Sequence, residues 1–368
     1  MKVSVSHYAL EDENTLKNKW TSLFLSSKQC VFLDWNWISA WLQSIPSTVL
    51  VIEANVNNKP VGLGLCCEKT KRVFFNSFAI QTLWLHKYGD DLVDQTWIEH
   101  NDFLLDIKYE EEVRAALLEY IKSKLNRWHE FYVGMSQQSL LTKFEEVLGP
   151  SRTIVHSADF SVDLSQMQDV SQYLSSLSKN TRSQINRSQK LLNQLGEVKL
   201  TIAKTEQEKQ NFFQLISLFH QQKWRDTELG SGFDNTTFVN FHKSIIIKDV
   251  NNSYSDIYAL ELNGEALALL YLLKTKDAWY FYLSGIQTHS DNRIKIGLLA
   301  HTLVIEQAIK CNIQKYSFLA GDARYKQSMS NVVEEPQALV CFSKPSSLLI
   351  LIKQLRHLKQ IIFPSNKD

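Results

Sequence analysis

The chain has 368 residues, of which 44% are hydrophobic, 21% charged and 11% aromatic, a globular balance that excludes a disordered chain. Forty Lys+Arg against 39 Asp+Glu leave a net charge of +1, so composition gives no global electrostatic case for nucleic acid, although a local patch remains open. The five cysteines, odd in number and without a C-x-x-C pair, argue against a disulfide framework or zinc ribbon and fit a reducing compartment. The N-terminal segment turns acidic at Glu11, Asp12 and Glu13, unlike a signal peptide. The longest apolar run, 266–273, is far short of the roughly 20 residues that span a bilayer. A cytoplasmic protein of two domains, or one large one, is expected.

In chain order, alternation predicts strands over 48–54 and 61–67 around the turn Asn57-Asn58-Lys59-Pro60. A helix over 110–125, a strand over 130–133 and a helix over 137–148 follow, the last stopped by Gly149-Pro150. A strand over 160–164 leads to helices over 170–176 and 179–195, with Gly196 as C-cap. Helices over 208–224 and 237–247 precede strands over 257–262, 266–274 and 279–284. A helix from Gly297 to 311 and a strand over 315–319 complete the series. Residues 51–75 resemble 256–280 at an offset of 205, with Lys69-Thr70-Lys71 on Lys274-Thr275-Lys276 and Asn58 on Asn263, which predicts a duplication.

Four segments could carry chemistry. The aromatic strand ending at Ser284-Gly285 is followed by a polar loop, 288–293, and an apolar helix from Gly297. A helix N-terminus leaves main-chain N–H groups unpaired and suits a phosphate, with Arg293 and Lys295 adding charge; a plain loop capped by Asp291 or Asn292 would read the same. On the helix over 179–195, Lys179, Arg182, Arg187 and Lys190 lie opposite an apolar face and lack acidic partners, as an anion-binding surface or a solvated face would. His220, Lys223, Trp224, Arg225 and Asp226 cluster at a helix end, where His220 could accept a proton and the cations could equally compensate the helix dipole. Gly321, Asp322, Tyr325 and Lys326 follow a buried strand, a position suited to a cleft or to a helix N-cap. The segment His100-Asn101-Asp102 offers too few ligands for a metal, and none is expected.

The order L-S-K-N-x-R, K-W-R, N-G-x-A-x-A, an aromatic strand with Gly, a Gly-started helix and F-x-x-G-D-x-x-Y-K occurs at 177–182, 223–225, 263–268, 279–285, 297–299 and 318–326. It resembles the GNAT-type acyltransferases of the CelD-like family, linked with cellulose and exopolysaccharide synthesis and related in fold to the FemAB aminoacyl transferases. The resemblance implies an α/β (α+β) fold of two tandem GNAT-like domains, each a mixed, mostly antiparallel sheet flanked by helices. Expected boundaries are 1–156 for a degenerate first domain, 157–343 for the acyltransferase domain, and 344–368 for an amphipathic tail that packs on its own domain, lies on a membrane or docks a partner.

The implied activity is acyl transfer from acetyl-CoA or another acyl-CoA to an amine such as an amino sugar or nucleotide-linked sugar. The alternatives are an aminoacyl-tRNA-dependent transferase and a non-catalytic accessory protein of a polysaccharide machine. Expected cofactor contacts are Tyr282, Gly285, Arg293, Lys295, Gly297 and Leu298; expected catalytic groups are Asp322, Tyr325, Lys326 and His220. Lys179, Arg182, Arg187, Lys223, Trp224 and Arg225 are expected toward the acceptor. The family's Q/R-x-x-G-x-G/A loop is present only as Arg293-Ile-Lys-Ile-Gly297-Leu-Leu-Ala300.

Overall fold

The computed structural model describes residues 2–73, 77–125, 127–225, 230–248 and 254–344. The chain starts with β1 (Ser4–Ala9), α1 (Glu13–Leu25) and α2 (Trp35–Ser44), three elements absent from the expected series. Asp12 and Asp34 cap the two helices by accepting the main-chain N–H of Asn14 and Asn36. The first half continues through β2 (Leu50–Val56), β3 (Lys59–Val73), β4 (Phe78–Leu85), the two-residue β5 (Leu104–Leu105), α3 (Glu110–Ser123), β6 (Glu130–Gln137), α4 (Gln138–Leu148) and β7 (Ser151–Asp163). Two helices, α5 (Val170–Ser176) and α6 (Lys179–Leu195), lead to the second half. That half comprises β8 (Val198–Ile202), α7 (Glu206–Trp224), α8 (Thr236–Lys248), β9 (Ser255–Leu262), β10 (Glu265–Lys274), β11 (Ala278–Ile286), α9 (Ile296–Lys310), β12 (Lys315–Ala320), α10 (Arg324–Met329) and β13 (Val332–Ser343). Asp226 and the tail expected at 346–363 lie outside the described residues.

With β5, α5 and α6 set aside, the two halves repeat one order of elements: strand, two helices, three strands, helix, strand, helix, strand. The offset of 205 holds across the first hairpin of each half, where Asn58 and Asn263 both take positive φ, 61° and 51°. It fails one strand later. Lys69-Thr70-Lys71 lies inside β3, paired with β4, whereas Lys274 ends β10 and Thr275 begins a turn.

Among the described residues the strands join in one sheet, ordered β1-β2-β3-β4-β6-β13-β7-β12-β11-β10-β9-β8, with β5 beside β3. Most neighbours are antiparallel; β4 with β6 and β11 with β12 are the parallel pairs, one in each half. The last strands are exchanged: β13 pairs with β6, β7 pairs with β12, and both pair with each other. The boundary expected at 156/157 falls inside β7. Helices α3 and α4 cover one face of the first half, through Leu117, Ile121, Leu141 and Phe144. Helices α5, α6 and α9 cover the corresponding face of the second. Helices α1, α2, α7 and α8 share one core between the halves, where Trp20, Trp37, Phe213 and Phe241 are buried. No helix among the described residues is long and apolar enough to cross a membrane.

Gly285 sets how closely α7 lies on β11: a Cβ there would meet Ile216 Cα at 2.7 Å and Ile216 O at 3.0 Å. Both obstacles are backbone, so Gly285→Ala is expected to lower stability by about 1–3 kcal/mol in chemical denaturation. An unchanged midpoint would mean that α7 yields without cost.

Candidate active site where β11 and β12 part

The parallel pair β11–β12 is short. It runs from Ala278 opposite Lys315 to Tyr280 opposite Ser317, yet β11 continues to Ile286 on its other neighbour and β12 to Ala320. Beyond Tyr280 the two strands leave each other unpaired. A register shift between Ser317 and Leu319 turns β12 away, and Leu319 takes φ +61°, costly for a residue with a Cβ. Ser317 Oγ accepts the Leu319 N–H at 3.1 Å and holds that kink.

Helix α9 begins beside this opening. No side chain among the described residues caps it, and Leu299 N–H to Lys295 O at 3.2 Å starts its hydrogen-bond ladder. The N–H groups of Ile296, Gly297 and Leu298 therefore precede the first helical bond and face an anion-favouring end. Gly297 leaves that end open, since a Cβ there would meet only Ile286 Cδ1, at 3.0 Å. Helix α6 supports the turn: Ser188 Oγ, fully buried, accepts the Lys295 N–H at 2.8 Å. Lys295 and Arg293 are exposed, and Arg293 is paired with Asp291 at 2.7 Å. On the α9 side, His301 is packed among Phe281, Phe318 and Tyr325 and bonds Tyr316 Oη at 2.8 Å. Burial pushes His301 down to about 3, so this ring is neutral.

At the end of β12 a buried polar cluster joins the halves. Glu99 Oε2 accepts the Ala320 N–H at 2.8 Å and Gln337 Nε2 at 3.2 Å. The same Gln337 amide nitrogen donates to Asp159 Oδ2 at 2.8 Å, while its oxygen accepts the His100 N–H at 3.0 Å. Glu99, Asp159 and Gln337 are at most 5% exposed, and Asp159 Oδ1 has no hydrogen-bond partner among the described residues. Lys326 Nζ donates to Ala320 O at 2.6 Å and Leu319 O at 3.3 Å. Burial lowers the Lys326 pKa against the opposing pull of Glu99, Asp159 and Asp322. Burial pushes Glu99 up to about 7, the range a general base needs near neutral pH. His100 takes φ +48°, so two of the protein's left-handed non-glycine residues, His100 and Leu319, border this cluster.

Tyr325 stacks on His301 of α9, Lys326 is tied to the end of β12, and Asp322 is exposed and accepts the Ala158 N–H at 3.2 Å. Tyr282 points to the other face, where its hydroxyl accepts the Trp97 N–H at 3.1 Å among Trp37, His242 and Phe32. His220 stands apart at the end of α7, bonded to Ser231 Oγ at 2.8 Å and stacked near Trp224, over which Lys223 lies. Arg225 follows that helix, and none of these contacts is shared with Tyr325 or Lys326. Arg182 donates weakly to Leu174 O and Ser175 O, whereas Lys179, Arg187 and Lys190 are exposed. Sequence reasoning missed Glu99, Asp159, Gln337 and His301. The first three lie 60 to 238 positions apart along the chain (159 − 99 and 337 − 99) and carry no local pattern.

The first half treats the same place differently. Asn101 Nδ2 bridges the opening between β4 and β6, donating to Leu85 O and Gly134 O at 3.0 Å each. Its Oδ1 meets His86 Nδ1 at 2.9 Å. Helix α3, which occupies the place of α9, begins with Glu110, Glu111 and Glu112.

Residues 179–327 match the family model described as an acetyltransferase (GNAT) domain. No curated protein matches the chain. Among solved structures, FemX is similar at a TM-score of 0.61 and 10% identity, covering 94% of this chain and all of that one. The structure of L-PGS from Bacillus licheniformis gives 0.52 at 11% identity, with 93% and 95% covered. A tandem GNAT protein from the clavulanic acid biosynthesis pathway gives 0.50 at 9% identity, with 94% and 100% covered. At these identities the likeness is one of fold. The fold is therefore the tandem GNAT arrangement, and residues 179–327 of its second half match the acetyltransferase domain.

Glu99 gives a signed test. An unfolded-state glutamate loses its proton near pH ~4.3, whereas Glu99 keeps its own to about 7. Between those values the folded state holds a proton that the unfolded state has released, so this residue costs stability as pH rises. Glu99→Gln is expected to gain stability over the native protein between about pH 5 and about pH 8, on the order of 2 kcal/mol by denaturant titration. A difference that stays flat with pH would contradict the burial of an ionising carboxyl here.

Proposed function

We propose that the protein is an acyl-CoA-dependent N-acyltransferase acting on an amine, of the amino-sugar or nucleotide-linked-sugar kind used in polysaccharide or envelope synthesis, in the cytoplasm. The first half, through β7, is a degenerate copy that keeps the fold and has lost the donor site. One observation carries this: among the described residues the opening in the second half is unbridged and faces an uncapped helix start without acidic residues, whereas the opening in the first half is bridged by Asn101 and faces three glutamates. A diphosphate is favoured at the first helix end and repelled at the second.

The donor's diphosphate sits on the N–H groups of Gly297 and Leu298, and its thioester lies between β11 and β12. Main-chain N–H groups of β11 beyond Tyr280, unpaired toward β12, meet the charge that develops on the carbonyl oxygen. The acceptor amine attacks the carbonyl carbon and gives its proton to Glu99. The C–S bond breaks, and the departing thiolate takes the hydroxyl proton of Tyr325. Burial holds Tyr325 at about 12, so it retains that proton at neutral pH. Lys326, anchored to the last carbonyls of β12, is positioned to orient the acceptor. Holding both substrates in one site supplies much of the acceleration.

Calorimetric titration with acetyl-CoA tests the donor, and absence of heat at millimolar ligand would refute it. Gly297→Asp is the sharper probe. An acidic residue in the first turn suits the helix dipole, so melting temperature should hold, while acetyl-CoA affinity falls at least about tenfold. Unchanged affinity would take α9 out of the donor site.

A second donor class draws on α6. Lys179, Arg187 and Lys190 are exposed along a helix without acidic residues, a surface suited to a polyanion such as aminoacyl-tRNA. Filter binding of tRNA should then weaken steeply with salt, and Lys190→Glu should weaken it further. Salt-independent retention, or none, would leave acyl-CoA alone.

A further inference from the structure

The sheet face that carries the Glu99 cluster continues into a cleft of about 610 Å³. Along β13, Gln337 and Leu339 point to the same face, about 7 Å apart. Leu339 lies in the wall of the cleft, together with Trp84, Trp97, Tyr132, Lys69 and Lys87. Trp97 is two residues from Glu99, so one loop serves both places.

Lys87 is the informative residue. It is 6% exposed, and its ammonium forms no hydrogen bond among the described residues. Its nearest carboxylate, Asp94 Oδ2, is 3.9 Å away, and its other neighbour is the Trp97 ring, 4.8 Å from Nζ to the centroid. Asp94 is already occupied by the Tyr88 and Gly89 N–H groups at 2.8 and 2.9 Å, and Asp90 by those of Leu92 and Val93. Asp91 is exposed. The Lys87 ammonium opens into the cleft, so an anion there would complete a shell that Asp94 and the Trp97 ring leave loose. Lys69, over the Tyr88 ring at 3.4 Å, and Lys71 add positive charge at the rim. Trp84 and Tyr132 stack with centroids 3.8 Å apart, and both line the cleft.

We propose that this cleft binds the acceptor, and that the acceptor is a sugar-sized ring bearing a carboxylate or phosphate, which Lys87 holds while the ring lies along the Trp97 and Trp84–Tyr132 wall. This rests on the acyltransferase function proposed above and names the substrate class of that site. The anion anchors one end, and the amine is delivered toward Glu99 at the other.

Tryptophan fluorescence titrations with glucosamine 6-phosphate, glucuronate and glucosamine test it. Both anions should bind at least about tenfold more tightly than glucosamine. Lys87→Met should erase that preference without lowering the melting temperature, because it replaces an under-bonded buried cation with an apolar chain. Lys69→Gln, at the partly exposed rim, should reduce the preference in a fold left intact whatever Lys87→Met does. Three results overturn the proposal: no saturable signal from either anion, anions binding no better than glucosamine, or a folded Lys87→Met variant that keeps the preference. Acetyl-CoA heats from the same samples report on the donor separately. Donor binding without sugar binding defeats the cleft alone, and the reverse defeats the donor assignment alone.

Discussion

The constraint on which the site depends is that β12 cannot stay paired with β11. Three residues of parallel ladder hold them together, and then β12 follows β7 instead. β7 belongs to the first half by sequence and to the second by hydrogen bonding. It draws β12 off its neighbour through the kink at Leu319. The exchange of β7 and β13 thus joins two halves into one sheet and also opens the second of them. The same kink aims the Ala320 N–H at Glu99, a residue of the other half. Fold and site share one cause, and separating the halves would dissolve both.

Duplication explains why the molecule has two openings, and polar chemistry explains why they differ. A buried asparagine amide is an economical bridge between two diverging strands, because its two N–H groups satisfy two carbonyls that would otherwise face no donor. Among the described residues no such bridge spans β11 and β12, and the aromatic side chains beside them cannot replace it. Strand N–H and C=O groups left unpaired in an interior are costly, and a bound carrier with amide groups could satisfy them.

Local patterning announced most of the second half. The apolar period of α6, α7 and α9 and the apolar runs of β9 to β12 lie within one or two residues of their expected limits, because the helices pack an apolar face on the sheet and the strands are buried on both faces. The hairpin turn at Asn58 and Asn263 was legible as a repeat, since both positions need a left-handed conformation that asparagine tolerates. The Lys-Thr-Lys match was not equivalent in space, because three polar residues suit an exposed strand as well as a turn. β13 was missed entirely; its value lies in pairing with two strands nearly 200 residues earlier, which no local period records. The start of α9 was readable, as were Tyr325 and Lys326, because they lie close to a strand end. Glu99, Asp159 and Gln337 were not, because a long-range hydrogen-bond network has no signature along the chain.

The most direct measurement is a crystal structure of the protein soaked with acetyl-CoA. The account predicts the diphosphate against the Gly297 and Leu298 amides, with the pantetheine arm passing between β11 and β12 toward Glu99. A carrier seated at α3, or lying on the surface with β11 and β12 untouched, would contradict it.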